Sequence, residues 1–333
     1  MSDKTSNYKI ENGKLFGYND RITIPCGVRR IAPLALAPLT SMQSLVLPDT
    51  LEEFEPSHLR KSYDVMTKDS ATSWGLSAHP LVLKEIHIGE NHPLYQSKNG
   101  VLYSADGKQL IYMPPSHFFE TVEIAEGIYE LCEESCCFVV AKEIVFPKSL
   151  RRIEARACCG SDLRNSALPA CEIGESAFQG CILPEFVEIY NEIIPAKAFA
   201  NCSTVKGIYL HDSVKLVKDE SFSCTGIEKI YIPATTRVEE NAFLLNQASW
   251  VISKWKSHMI KNTDVIIGGE VGSPAEAFAI ANGIRFEAVG SSDEEIKAWL
   301  GWQECIDAKG GTGVFYKTPD GKKVEYDPDD LPF

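Results

Sequence analysis

The residues best placed to do chemistry are eleven cysteines. Five of them, Cys136, Cys158, Cys181, Cys202 and Cys224, recur at steps of 22, 23, 21 and 22. Thiolates bind metals and attack electrophiles. A zinc site, however, needs four ligands converging on one point, and the equivalent positions of a repeat are spread along a line. The adjacent pairs Cys136-Cys137 and Cys158-Cys159 also lack the CxxC spacing. The pattern predicts small buried thiols lining the inside of a coil, with no metal and no cofactor. Cys305 stands apart from the repeat, near Glu304 and Asp307, and neighbouring acids raise a thiol's pKa. The seven histidines are scattered, and no HExxH, GxSxG, P-loop or GxGxxG occurs. The expectation is a chain without catalytic activity.

The elements that carry these residues are copies of one unit. Ile153, Ile173, Ile194, Val217 and Val238 are each followed four residues later by Ala157, Ala177, Ala198, Ser221 or Ala242. Phe178, Phe199, Phe222 and Phe243 come next in four of the five. Cys136 and Cys158 stand in the slot that later copies give to Phe. Upstream, apolar pairs such as Ile144–Phe146, Ile208–Leu210 and Ile230–Ile232 end before a punctuating residue. Those punctuating positions, 125, 147, 169, 190, 211 and 233, are 22, 22, 21, 21 and 22 apart. A fixed period in the low twenties predicts a repeat solenoid in which each unit buries its apolar face against the next.

Successive side chains of a strand point to opposite faces. With Ile208 and Leu210 inside, Tyr209 faces out, as do Thr23, Val46, His87, Glu123, Val145 and Tyr231. Tyr209 and Tyr231 lie one repeat apart and should form an exposed aromatic pair. Aromatic rings give large contact area at low entropic cost, so they suit a binding surface. The expected partner site is Tyr209 and Tyr231 with His87 and Val145, flanked by Lys229, Glu143 and Glu85. A protein partner is expected. The alternatives are a glycan stacked on the two Tyr rings, or a structural spacer that carries the C-terminal tail.

The 333 residues carry a formal net charge of −13, and no run of Lys and Arg exceeds two. This balance disfavours nucleic acid and anionic membrane surfaces as partners. No apolar stretch approaches the roughly 20 residues that cross a bilayer, so no membrane insertion is expected. The first residues lack the apolar segment of a signal peptide, which reads as cytoplasmic.

Residues 1–21 contain Asn12-Gly13 between alternating segments and read as a capping hairpin. The solenoid spans 22–289. It is degenerate or inserted at 57–82, with a helical insertion expected there, and degenerate again at 244–264. A hairpin at 99–113, turning at Asp106-Gly107, is expected to project from the rod. Ser273, Pro274 and Gly283 mark a short helix by its N-cap, first position and C-cap. Residues 290–333 form an acidic tail with ten acids against five Lys. Ser292 with Glu295 predicts a capping box. The helix it opens is expected to end at Gly310-Gly311, and Pro319-Asp320-Gly321 predicts a further hairpin.

Three runs, Ile173-Gly174-Glu175-Ser176-Ala177-Phe178-Gln179-Gly180-Cys181, Ile194 to Cys202 and Val238 to Phe243, resemble the core of BspA-like leucine-rich repeat proteins. The resemblance covers roughly 22–289. It implies a right-handed leucine-rich repeat coil with a parallel β-sheet on one face, short strands and turns on the other, and capped ends. It further implies an adhesin-like, protein-binding role at a bacterial cell surface or in secreted form.

Overall fold

The structure, a computed structural model, describes residues 8–11, 14–17, 20–32, 35–36, 42–56, 59, 82–115, 121–141, 143–251, 254–302, 315–317 and 323–325. The chain is a solenoid of about 10 turns. The front of the rod is a row of parallel strands. Arg21–Thr23, Ser44–Val46 and Glu85–His87 pair in sequence, as do Thr121–Glu123 and Glu143–Val145. A five-stranded sheet follows, in the order Phe186–Ile189, Gly207–Leu210, Lys229–Tyr231, Ile266–Gly269 and Arg285–Ala288. The front ladder is interrupted at the coil before it. There the Ser166 hydroxyl accepts the Ile144 N–H at 2.9 Å, in place of a strand carbonyl. A second series of short parallel strands runs behind, through Glu130–Leu131, Arg152–Ile153 and Glu172–Ile173. It continues as Ile193–Ile194, Leu216–Val217 and Arg237–Val238.

Between the two rows lies the core. Ile153, Ile173, Ile194 and Val217 are fully or nearly buried, as are Ala157, Ala177, Ala198 and Ala242. The four Phe residues form a column. Phe178, Phe199, Phe222 and Phe243 stack at centroid distances of 5.4, 5.7 and 5.6 Å, with interplanar angles of 8, 11 and 16°. Each ring fills the space above the next, so each coil completes its neighbour's interior. Cys136 and Cys158 occupy the same slot lower in the rod. The Cys136, Cys158 and Phe178 N–H groups donate in turn to Ala157, Ala177 and Ala198.

The turn that presents this slot needs left-handed backbone twice per coil. Glu134 and Phe138, Arg156 and Gly160, Ser176 and Gly180, Lys197 and Asn201, and Glu220 and Cys224 all have φ between 56 and 71°. Left-handed backbone costs about 1–2 kcal/mol for a residue with a Cβ. The gain is a hydrogen-bond ladder along the rod: Arg156, Cys158 and Gly160 donate to Glu175, Ala177 and Gln179 at 2.9, 2.9 and 2.8 Å.

The recurring thiols belong to the same ladder. Cys181 donates to the Cys158 carbonyl at 2.9 Å and Cys202 to the Phe178 carbonyl at 3.1 Å, each one coil back. Burial pushes Cys202 up to about 12. These are structural thiols strung along the axis, and none of the ten described cysteines forms a disulfide.

The 99–113 expectation is corrected. Val101–Ser104 and Gln109–Tyr112 do form a hairpin, but Tyr95–Lys98 adds a third antiparallel strand. The meander does not project. Gln109–Leu110 pairs in parallel with Glu130–Leu131 and so lies within the rod. Val101, Leu110 and Met113 pack into one core cluster, and Leu102 and Tyr112 into the next. The meander is therefore the wall shared by both halves of the interior.

The degenerate stretch after Phe243 is an excursion. Leu244–Val251 and Lys254–Lys261 form a long antiparallel hairpin, while Lys229–Tyr231 pairs directly with Ile266–Gly269. Tyr8–Glu11 pairs antiparallel with Lys14–Gly17, as Phe315–Lys317 does with Lys323–Glu325. The helical insertion expected within 57–82 lies outside the described residues, as does Cys305.

Helix α1 (Pro274–Asn282) has the expected ends: the Ser273 side chain accepts the Glu276 N–H, and Gly283 is left-handed at φ 66°. Its Ala275 and Ala279 close the end of the core. Helix α2 (Asp293–Leu300) is capped by Ser292 and stops at Gly301, φ 81°, nine residues before the expected Gly310. A glycine in the left-handed region ends the helix as soon as one is reached. No described helix is long and apolar enough to cross a membrane.

Candidate functional site

The outer face of the five-stranded sheet presents two rows of side chains, set by register. One row is Phe186, Gly207, Lys229, Ile266 and Arg285; the other is Glu188, Tyr209, Tyr231, Gly268 and Glu287. Tyr209 and Tyr231 are neighbours, edge to face at 5.6 Å and 83°. The expectation that they stand exposed is corrected: they are 4% and 2% accessible. Helix α2 lies over them, and Ile296 and Leu300 complete a small apolar cluster with both Tyr rings. The sugar-stacking platform of the glycan alternative is sealed by the same helix. Lys229 is likewise turned to α2. Its ammonium donates to the Trp299 carbonyl at 2.6 Å and lies 5.0 Å from the centre of the Trp299 ring.

The seating has several polar anchors. The Tyr209 hydroxyl donates to Asp293 at 2.6 Å, the Trp299 indole N–H to Glu287 at 2.7 Å, and Lys297 pairs with Glu188 at 3.0 Å. Burial, then the bond to Asp293, raises the Tyr209 pKa. The Trp299 N–H lowers that of Glu287. Burial alone would raise Glu188, but Tyr190 and Lys297 outweigh it and lower it overall. At the margin of the helix, His211 is sandwiched between Tyr190 and Tyr209 at 3.9 Å from each. Tyr190 remains 41% exposed. Its hydroxyl bonds Glu188, and burial followed by that carboxylate pushes it up to about 12.

Over the N-terminal coils no described helix covers the outward strand positions, although Ser44 there is itself buried. Their rows are Arg21, Ser44 and Glu85, and Thr23, Val46 and His87. Thr121 pairs with Glu143 and Glu123 with Val145 further along. Val145 is 41% exposed, an apolar side chain in open solvent. His87 lies 3.2 Å from Glu85, and that contact lowers the Glu85 pKa. Beside Val145, the meander and the next two coils enclose a groove of 610 Å³, lined by Tyr103, Met113, Ile124 and Phe146 with Glu123 at its rim. The seven expected residues therefore divide. Glu85 and His87 lie on the first three-stranded sheet and Glu143 and Val145 on a separate pair of strands, whereas Tyr209, Tyr231 and Lys229 form the seat of α2.

Residues missed by sequence reasoning are those that receive or present the helix: Gly207, Gly268, Glu287 and Asp293. A Cβ at Gly268 would stand 2.6 Å from the Trp299 ring, and one at Gly207 2.5 Å from the Phe186 ring. Glycine within a strand marks a close approach, and that was the available signal.

The family described as BspA type Leucine rich repeat region matches residues 124–248 in six copies. Several solved structures are similar to parts of the chain at low identity. A leucine-rich repeat protein from Eubacterium ventriosum is 16% identical over 61% of this chain and 58% of that one, with a TM-score of 0.46. A leucine rich cell surface protein from Faecalibacterium prausnitzii is 20% identical over 67% and 56%, with a TM-score of 0.40. The pneumococcal vaccine antigen PcpA is 13% identical over 75% and 55%, with a TM-score of 0.40. The chain spans a little over half the length of these three structures. No curated protein matches it.

Proposed function

We propose that this chain, whose residues 124–248 match the BspA type leucine-rich repeat model, is a protein-interaction module whose uncovered outward strand positions, over the N-terminal coils, receive a protein partner. The observation that carries this reading is the contrast between the outward strand positions of the C-terminal coils and those of the N-terminal coils. Over Phe186–Ala288 the outward rows are covered by α2, with Tyr209 and Tyr231 removed from water. Over Arg21–Val145 the equivalent rows keep Val145, Thr23 and Glu123 in solvent. Neighbouring parallel strands lie about 4.8 Å apart. Glu85 beside His87 on one sheet and Glu143 beside Val145 on the next offer outward positions of mixed polarity, which suits a protein interface. The groove beside Val145 offers a socket for one anchoring side chain.

The test is affinity capture with three forms of the full chain: wild type, Val145→Arg with His87→Asp, and Tyr190→Ala. A partner retained by wild type and Tyr190→Ala but lost from the double variant supports the reading. Equal retention by all three, with unchanged circular dichroism, removes the N-terminal face from consideration.

A further inference from the structure

We infer that the outer face of the five-stranded sheet is a direction-specific receptor for an acidic amphipathic helix carrying an Ile-x-x-Trp-Leu pattern, and that α2 is its resident occupant. Several features make this a built seat. Two of the ten outward positions in the register are glycine, one in each row. Gly268 leaves room for the Trp299 ring, which a Cβ there would meet at 2.6 Å. Gly207 lies beneath Leu300, whose Cδ2 would stand 3.6 Å from a Cβ at that position. Solvent-facing strand positions gain nothing from glycine, which weakens a strand. Here Gly268 makes the slot for the Trp299 ring, and Gly207 makes room for the Phe186 ring, which packs against the cluster that Ile296 and Leu300 complete.

The polar groups read the helix from end to end. The Tyr209 hydroxyl donates to Asp293, the first residue of α2. Lys229 donates to the Trp299 carbonyl in the last turn. A cation at the C-terminal carbonyls and an acid in the first turn both match the helix dipole. A helix laid in the reverse direction would set its N-terminal N–H groups against Lys229. Glu287 accepts the indole N–H at 2.7 Å, which distinguishes Trp from Phe at that slot. The Lys297–Glu188 pair fixes the rotation of the helix about its axis.

The occupant is suited to exchange. An eight-residue helix is marginal in water without its seat. It is tethered through residues 289–292, a linker short enough to hold it at an effective concentration in the millimolar range. A competing helix therefore needs either the same pattern with higher affinity or an occupant already loosened. This surface is separate from the N-terminal face, and its test stands whether or not that face binds anything.

The experiment uses the full chain and a fluorescein-labelled peptide of residues 291–302, read by fluorescence anisotropy. Ile296→Ala with Trp299→Ala loosens α2 and opens the seat. This variant is expected to bind the peptide at least tenfold more tightly than wild type, whose seat is filled. Adding Gly268→Leu to the opened chain should abolish that binding, as should Trp299→Ala in the peptide. A peptide of reversed sequence should bind at least tenfold more weakly. Two results would overturn the inference. One is an opened chain, folded by circular dichroism, that binds the peptide no better than wild type. The other is equal binding of the forward, reversed and Trp299→Ala peptides. The peptide variants decide the matter even if Gly268→Leu fails to fold.

Discussion

Replacing Phe199 by Ala should be among the most damaging single changes in the rod. The ring is 2% exposed and lies between Phe178 at 5.4 Å and Phe222 at 5.7 Å. Truncating a buried Phe to Ala costs about 3–5 kcal/mol in transfer and cavity terms. Each aromatic neighbour contributes about 0.5–1.5 kcal/mol beyond burial, and this ring has two. The rigid ladder of turns on either side limits collapse around the void. The expected loss is therefore about 5 kcal/mol, a large share of the roughly 5–15 kcal/mol that holds a typical domain. Because coils interact only with their neighbours, the damage should also divide the unfolding transition. The coils on either side of Phe199 would melt separately. The assay is urea denaturation followed by circular dichroism. Phe278→Ala serves as control, since that ring is partly buried at the edge of the core and its one ring contact among the described residues is Phe243, tilted 55° at 6.1 Å; its loss should be about half as large. A Phe199→Ala loss below about 1.5 kcal/mol, or one equal to that of Phe278→Ala, would refute the stacked column as a principal source of stability.

Other consequences are open to test. Gly174→Ala should destabilise the chain by about 1–3 kcal/mol, because the new Cβ would lie 2.5 Å from the Ala155 nitrogen, a backbone atom that cannot step aside; thermal melting measures it. Cys26 is exposed and should react with a thiol reagent in the native state. Cys202, held at about 12 by burial, should react only on unfolding, because the thiolate is the nucleophile. The seat of α2 should loosen in acid. The folded pKa values of Glu188 and Glu287 lie below their ordinary 4.5, so the stabilisation they give is complete above pH 4.5 and is lost as pH falls through the lowered values. Acrylamide quenching of wild type, with Trp299→Phe as baseline, should rise in that range, and Glu188→Gln should flatten the rise.

Much of the rod was legible because its interior is periodic. Ile153, Ala157 and Cys158 and their equivalents recur because each coil must meet the last with the same side chain. The two-residue alternation of strands placed Tyr209 and Tyr231 on the outer face. What the sequence left hidden is what covers that face, because the seating of α2 depends on groups far apart in the chain, such as Tyr209 and Asp293. The hidden clue lay in Gly207 and Gly268, glycines at outward strand positions. The meander was recognised by Asp106-Gly107, but its place within the rod depends on Gln109–Leu110 finding Glu130–Leu131, a pairing that turn chemistry does not report. The hairpin of Leu244–Val251 with Lys254–Lys261 lacks an Asn-Gly or Asp-Gly turn, so nothing local announced it.

The central claim is that the outward strand positions are closed by α2 over the C-terminal coils and open over the N-terminal ones. Hydroxyl-radical footprinting of the intact protein, read residue by residue by mass spectrometry, tests it most directly. The account predicts rapid modification of Val145, His87 and Tyr190, with Tyr209 and Tyr231 protected until α2 is loosened by Ile296→Ala and Trp299→Ala. Modification of Tyr209 and Tyr231 in the wild type at the rate of Tyr190 would contradict it.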